Sequence, residues 1–198
     1  MPASRVIVIG ATGTIGGAVA DALRRNGHDV VRAARSGPVR VDVADPAAID
    51  ALFAAVRDVD AVVCCAASGA LTPLDTASDA AYTTGLDGKL LGQITLVRRA
   101  LHHLRDGGSV TITSGRFDRP LPGSSFGALV NAGLDAFVRA AAPELPRGLR
   151  LNAVSPGWVR ETLRHLGMDD GPGTPAADVA RAYLTAVEGT VQGRVLTP

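Results

Sequence analysis

The chain carries one lysine, Lys89, against nineteen arginines. A guanidinium stays protonated at any pH a protein meets, whereas an ammonium can be tuned by its surroundings to release a proton. The single position that keeps an amine is therefore a candidate for acid–base chemistry. The competing reading is an exposed lysine left over from a strong preference for arginine. Lys89 lies in Gly85-Leu86-Asp87-Gly88-Lys89-Leu90-Leu91-Gly92, inside a segment whose pattern predicts a helix over 78–104, with three glycines that weaken it.

A second group of residues points to phosphate chemistry. The apolar run that starts at Arg5 ends in Gly10-Ala11-Thr12-Gly13-Thr14-Ile15-Gly16, and a helical pattern follows at once. Glycines there let the backbone turn tightly and approach a pyrophosphate, whose charge is met by free N–H groups at the helix N-terminus. Gly10, Thr12, Gly13, Thr14 and Ile15 are the candidates, although a glycine-rich turn can also serve tight packing alone. The next apolar run ends in Ala33-Ala34-Arg35-Ser36. It offers no carboxylate to the hydroxyls of a ribose, and Arg35 and Ser36 stand where a 2′-phosphate would lie, which favours NADP(H) over NAD(H) unless Arg35 is only a surface charge.

Other polar residues carry weaker signals. His102 and His103 are sequential, hence on different faces of a helix, and no ligand stands at metal spacing beside them. His165 and Arg116 are each compatible with a substrate contact or with a solvated loop, and Tyr183 is placed on the last helix, far from the expected site. Cys64 and Cys65 are adjacent on a predicted strand, where alternate side chains face opposite ways, so they read as reduced core residues.

The elements that must hold these residues alternate. Short apolar runs at 5–10, 29–34, 39–43, 61–66, 109–114, 149–153 and 193–196 predict buried parallel strands. Helices are predicted over 14–26, 46–57, 78–104, 125–145 and 176–188; Asp45 and Pro46 form an N-cap and first helical turn, and Pro143 is a candidate kink. Strand and helix in repetition predict a single Rossmann-type domain over 1–198: an α/β doubly wound parallel sheet of about seven strands with helices on both faces. One link, 35–38, is shorter than a parallel crossover normally requires.

Composition narrows the function. The 198 residues are 46% apolar with a net charge of +1, and no basic stripe or polybasic run calls for nucleic acid or a membrane surface. The residues before the first strand leave no room for a signal peptide, and no apolar run has the length of a membrane span. A cytoplasmic protein acting on a small molecule is expected.

With these segments in hand the chain resembles the short-chain dehydrogenase/reductase family from about residue 5 onward. Val41-Asp42-Val43-Ala44-Asp45 is similar to the family's segment that contacts adenine, which implies cofactor roles for Asp42 and Val43. Leu151-Asn152-Ala153-Val154-Ser155-Pro156-Gly157-Trp158-Val159 is similar to its proline-glycine motif, which implies that Pro156 and Val159 meet the nicotinamide end. Phe126-Gly127-Ala128-Leu129-Val130-Asn131-Ala132-Gly133-Leu134 is similar to the helix that normally carries the catalytic tyrosine and lysine. The resemblance further implies a substrate lid around 160–174. It also implies a homodimer or homotetramer built on the helices at 78–104 and 125–145.

The departures fall on the chemistry. Phe126 and Val130 stand where the family has Tyr-x-x-x-Lys, and Cys64-Cys65-Ala66-Ala67 replaces its Asn-Asn-Ala-Gly, keeping the small Ala66 and Ala67 where a cofactor passes. Ser114 matches the family serine, with Thr113 as its nearest substitute. Lys89-Leu90-Leu91-Gly92 is similar to the family's Asn-Leu-x-Gly, so the sole lysine stands at the family's relay asparagine, near the ammonium lost at Val130. A smaller group of short-chain dehydrogenase-like proteins of about two hundred residues shares these departures. The expected function is an atypical NADP(H)-dependent oxidoreductase reducing a carbonyl or similar group, with Lys89 and Ser114 catalytic. The alternatives are an NADP(H)-binding sensor without turnover, or a dehydratase, isomerase or cyclase on the same fold.

Overall fold

The computed structural model describes residues 3–67, 69–76 and 78–198. All seven strands join one parallel sheet in the order β3-β2-β1-β4-β5-β6-β7, so the chain winds outward from β1 in one direction and from β4 in the other. In chain order the first half comprises β1 (Arg5–Ile9), α1 (Thr14–Arg25), β2 (Asp29–Ala34), β3 (Val39–Arg40), α2 (Pro46–Ala55) and β4 (Val59–Cys64). The second half comprises α3 (Asp79–Tyr82), α4 (Gln93–Ala100), β5 (Leu104–Thr113), α5 (Ser125–Ala141), β6 (Arg150–Val154), α6 (Arg160–His165), α7 (Ala176–Glu188) and β7 (Val195–Leu196). No helix among the described residues is long and apolar enough to cross a membrane.

The strands separate two cores. Ile7 and Ile9 of β1 face the layer built from α2, α4 and α5, with Phe53, Leu96 and Leu134 at its centre. Val6 and Val8 point the other way, to α1 and α7, where Leu23, Val179 and Tyr183 are fully buried. This two-fold alternation, with both faces covered, explains why the strands read as unbroken apolar runs.

Several expected boundaries are corrected. The run at 39–43 pairs over only Val39 and Arg40, so the four-residue link from β2 has to return by only a short distance; Gly37, at φ +119°, makes that turn and no crossover helix is needed. The strand at 61–66 is displaced to Val59–Cys64, and β5 begins at Leu104, five residues earlier than expected. The helix over 125–145 stops at Ala141 and Ala142–Glu144 continue as one 3₁₀ turn, because Pro143 lacks the N–H that an α-helix would use.

The largest difference concerns the helix expected over 78–104. It breaks after Tyr82, passes Gly85 in the left-handed region at φ +97°, continues as a π-helical segment over Leu86–Gly92, and becomes regular only in α4. Gly92 allows this path, because a Cβ there would lie 2.3 Å from the Val43 carbonyl oxygen. The wide turn is held by Gln93, whose side chain is fully buried. Its amide nitrogen donates to the carbonyls of Lys89 (2.7 Å) and Thr113 (2.8 Å), and its oxygen accepts from the Thr113 N–H (2.8 Å). Replacing Gln93 with Leu leaves the Thr113 N–H without a partner and removes both donor contacts. Urea unfolding should show a loss of about 3–5 kcal/mol, well beyond the ordinary cost of an isosteric core change.

Candidate active site

The site forms at the C-terminal ends of the central strands, where the chain order reverses between β1 and β4. The glycine-rich turn is built for close approach. A Cβ on Gly16 would meet the Gly10 carbonyl oxygen at 2.1 Å, and one on Gly10 would meet the Ala66 nitrogen at 2.8 Å. Gly13 is the N-cap of α1 and no side chain closes that helix end, leaving its first N–H groups facing outward. Arg32, which the sequence reading passed over, donates to the Ala11 carbonyl and ties the turn to β2.

A cleft of about 360 Å³ runs along these ends. Gly10, Thr12, Gly13, Arg35, Ser36, Asp42, Val43, Ala66 and Ala67 all border it, so most of the residues singled out for a dinucleotide are brought together. The glycine cradle, the open helix end and a guanidinium at the far side suit a diphosphate flanked by a phosphorylated ribose. Thr14 opens α1 beside the turn, and Ile15 lies further along, in a second cavity of about 220 Å³ that also holds Lys89, Ser114, Pro156 and Val159. Ala67 is common to the two cavities.

Lys89 stands where this second cavity meets a third, of about 170 Å³, lined by Phe117, Phe126, Val130 and Trp158. Its ammonium makes no hydrogen bond or ion pair among the described residues. Burial pulls its pKa down to about 8, and the Asp135 carboxylate offsets part of that effect. The Ser114 hydroxyl, the Asn131 side-chain amide oxygen and one Asp135 carboxylate oxygen are buried without a hydrogen-bond partner. Unpaired buried polar atoms are costly; here Ser114 and Asn131 line the same cavity as Lys89, and Asp135 acts on its charge. Thr113 is fully engaged, donating to the Cys64 carbonyl (2.6 Å) and paired with the Tyr183 hydroxyl (2.6 Å). Of the two hydroxyls considered from the sequence, Ser114 is therefore the one without a protein partner.

Asn131 and Asp135 were missed by the sequence reading. They are four residues apart on α5, hence on one face, and Asn131 is the lone polar residue in the apolar run 126–134. That isolation was the available signal. Tyr183 is corrected as well: from α7 its hydroxyl reaches the end of β5, directly beneath the site rather than far from it. Burial raises its pKa well above the usual value and keeps it a neutral support. Cys65 borders the cleft while Cys64 is buried, and burial also pushes both thiols up, so neither is a nucleophile.

The remaining candidates find ordinary roles. Arg116 is held by Asp118 (3.1 Å) and by the Ser155 carbonyl (3.4 Å). His103 stacks on Phe53 with ring centroids 4.8 Å apart, and no metal-binding cluster exists among the described residues. His165 is exposed at the end of α6, bonded to the Glu161 carbonyl (2.6 Å). The segment that carries α6 is fastened by the bridge between Val159 and Thr174 and contributes Thr162 to the cavity of Lys89.

Comparisons with known proteins agree with this fold. The profile of the family described as enoyl-(acyl carrier protein) reductase matches residues 10–189. Among solved structures, the chain is similar to the protein lin1944 from Listeria innocua, at 35% identity over 98% of this chain and 99% of that one, with a TM-score of 0.92. It is also similar to a small-chain dehydrogenase in complex with NADPH, at 25% identity over 100% and 97% of the two chains, with a TM-score of 0.86. A short chain dehydrogenase from Mycobacterium smegmatis shares the fold, at 24% identity over 98% and 91%, with a TM-score of 0.85. No curated protein sequence matches the chain.

The lowered pKa of Lys89 has a consequence for stability. Between about pH 8 and 10.5 the unfolded chain holds a proton that the folded chain has released, so stability rises with pH across that window on account of this residue. Below pH 8 both states are protonated and the effect is constant. Urea midpoints measured from pH 7.5 to 10.5 should rise more in the natural protein than in Lys89→Met; parallel curves would place the ammonium in solvent.

Proposed function

Because the chain belongs to the short-chain dehydrogenase/reductase family, we propose that it is an NADP(H)-dependent oxidoreductase that reduces a carbonyl or similar unsaturated carbon of a small molecule. In this reading Phe126 and Val130 stand at the family's catalytic tyrosine and lysine positions, and Lys89 supplies the acid from the neighbouring segment. The observation that carries the proposal is the meeting of an ammonium and a serine hydroxyl, both without a hydrogen-bond partner among the described residues, in a cavity that adjoins the glycine-rich cleft.

A bound dihydronicotinamide supplies hydride chemistry; the chain supplies everything around it. Gly10, Thr12, Gly13 and the open end of α1 would hold the diphosphate, Arg35 and Ser36 the 2′-phosphate, and Asp42 and Val43 the adenine. Ala66, Ala67, Pro156 and Val159 would border the nicotinamide end. Ser114 donates its O–H to the substrate oxygen, which fixes the carbonyl plane. Lys89 delivers a proton to that oxygen as negative charge develops on it; an ammonium with pKa near 8 is mostly protonated at neutral pH yet gives its proton up far more readily than an ordinary lysine. The NADPH held by the similar small-chain dehydrogenase supports the choice of phosphorylated cofactor. Self-association through the segments around α4 and α5 belongs to the same reading, and Leu91 and Leu129 on these segments are exposed.

Two measurements test the proposal. Arg35→Ala should weaken NADPH binding in calorimetry by about 1.5–3 kcal/mol, as expected for loss of a charged hydrogen bond, and leave NADH nearly unchanged. Equal losses for both cofactors would remove the 2′-phosphate argument. With a reducible carbonyl, kcat/KM should fall as pH rises through about 8, where Lys89 loses its proton. Lys89→Met should lose turnover on the order of 10²-fold and lose that alkaline limb, with cofactor affinity retained.

A further inference from the structure

The chain contains only seven aromatic side chains of Phe, Tyr and Trp, and four of them gather at the third cavity. Phe117, Phe126 and Trp158 line it; Phe117 and Trp158 meet edge-on with centroids 6.5 Å apart, and Tyr82 backs Phe126 at 5.4 Å. Val130, Leu71 and Gly127 add to the apolar lining, and Lys89 and Asn131 bring polar groups to the same cavity. The volume is about 170 Å³. An apolar protein cavity of about 150 Å³ accommodates benzene, so this space is large enough for one ring with a small substituent.

Charge narrows the ligand further. Among the described residues Lys89 is the only cationic side chain lining this cavity, and Arg116 of the adjoining cavity is already engaged by Asp118 and backbone carbonyls. A carboxylate on the substrate would take the ammonium for itself and leave the carbonyl without an acid.

Resting on the reductase reading above, we infer that the substrate is an uncharged, single-ring aromatic aldehyde or ketone, its ring between Phe117, Phe126 and Trp158 and its carbonyl oxygen toward Lys89 and Ser114. The carbonyl carbon takes a hydride from the reduced nicotinamide and its oxygen takes a proton from Lys89. The products are a benzylic alcohol and the oxidised cofactor, and the amine recovers its proton from solvent.

Trp158 is the only tryptophan, so its fluorescence reports this cavity without any turnover. Acetophenone should quench it saturably in the presence of NADP. Gly127→Leu should weaken that binding roughly tenfold or more, because a Cβ there already sits 3.4 Å from the Phe117 ring and a longer side chain must fill the space or displace the ring. Phe117→Ala, on a loop, is the complementary variant: it should shift preference toward the two-ring ketone 2-acetylnaphthalene, a gain that damage to the fold would not produce.

In NADPH consumption, acetophenone or benzaldehyde should exceed benzoylformate and a crotonyl pantetheine thioester by roughly tenfold or more in kcat/KM. Preference for the thioester or the keto acid, with both variants indifferent, would overturn the substrate class and leave the reductase standing. Saturable binding of acetophenone with no NADPH consumed from any carbonyl would support the ring site and overturn the reductase reading. Absence of saturable quenching would overturn the ring site itself.

Discussion

The Gln93 carboxamide joins its own turn to a strand end twenty residues further along the chain. It bonds to Lys89 on the π-helical turn and to both main-chain groups of Thr113 at the end of β5, so the amine and the strand that presents Ser114 are held by one buried side chain. Three hydrogen bonds made away from water are stiff, because breaking any of them exposes a polar group to an apolar surrounding. The position of Lys89 relative to Ser114 is therefore a property of the core rather than of a surface loop.

Glycine permits the same arrangement from the outer side. Gly85 turns the chain through a conformation that most residues avoid, and Gly92 lets the π-helical segment pass against the Val43 carbonyl. The wide turn places Lys89 between the dinucleotide cleft and the aromatic cavity, with Gly88 bordering the cleft itself. Wide turns of this kind recur at functional sites because they redirect one side chain without moving the helix that follows.

The electrostatics of the site follow from what is missing. An ordinary buried ammonium would be paired, and this one makes no ion pair among the described residues; the Asp135 carboxylate raises its pKa only enough to leave it near 8. Full pairing would restore an ordinary lysine, and full isolation would keep it neutral. The intermediate balance suits a group that must carry a proton and then release it. The unpaired oxygens of Asn131 and Asp135 show that the cost extends to a patch of α5, a pattern expected where polar groups are kept ready for something the chain does not itself provide.

Read by itself, the sequence determined the parts that depend on near neighbours. Apolar runs alternating with helical patterns were sufficient for the seven-stranded parallel sheet, since strands covered on both faces have no polar side to show. The glycine turn was legible from Gly10 to Gly16, because the demand for close approach acts within seven residues. Lys89 stood out by count alone. Tertiary structure decided the rest: the break of the helix expected over 78–104, the clamp by Gln93, the roles of Asn131 and Asp135, and the meeting of Phe117, Phe126 and Trp158 around one cavity. Each of these depends on which side chains from distant segments face one another, and that is set by packing across the sheet rather than by any local pattern.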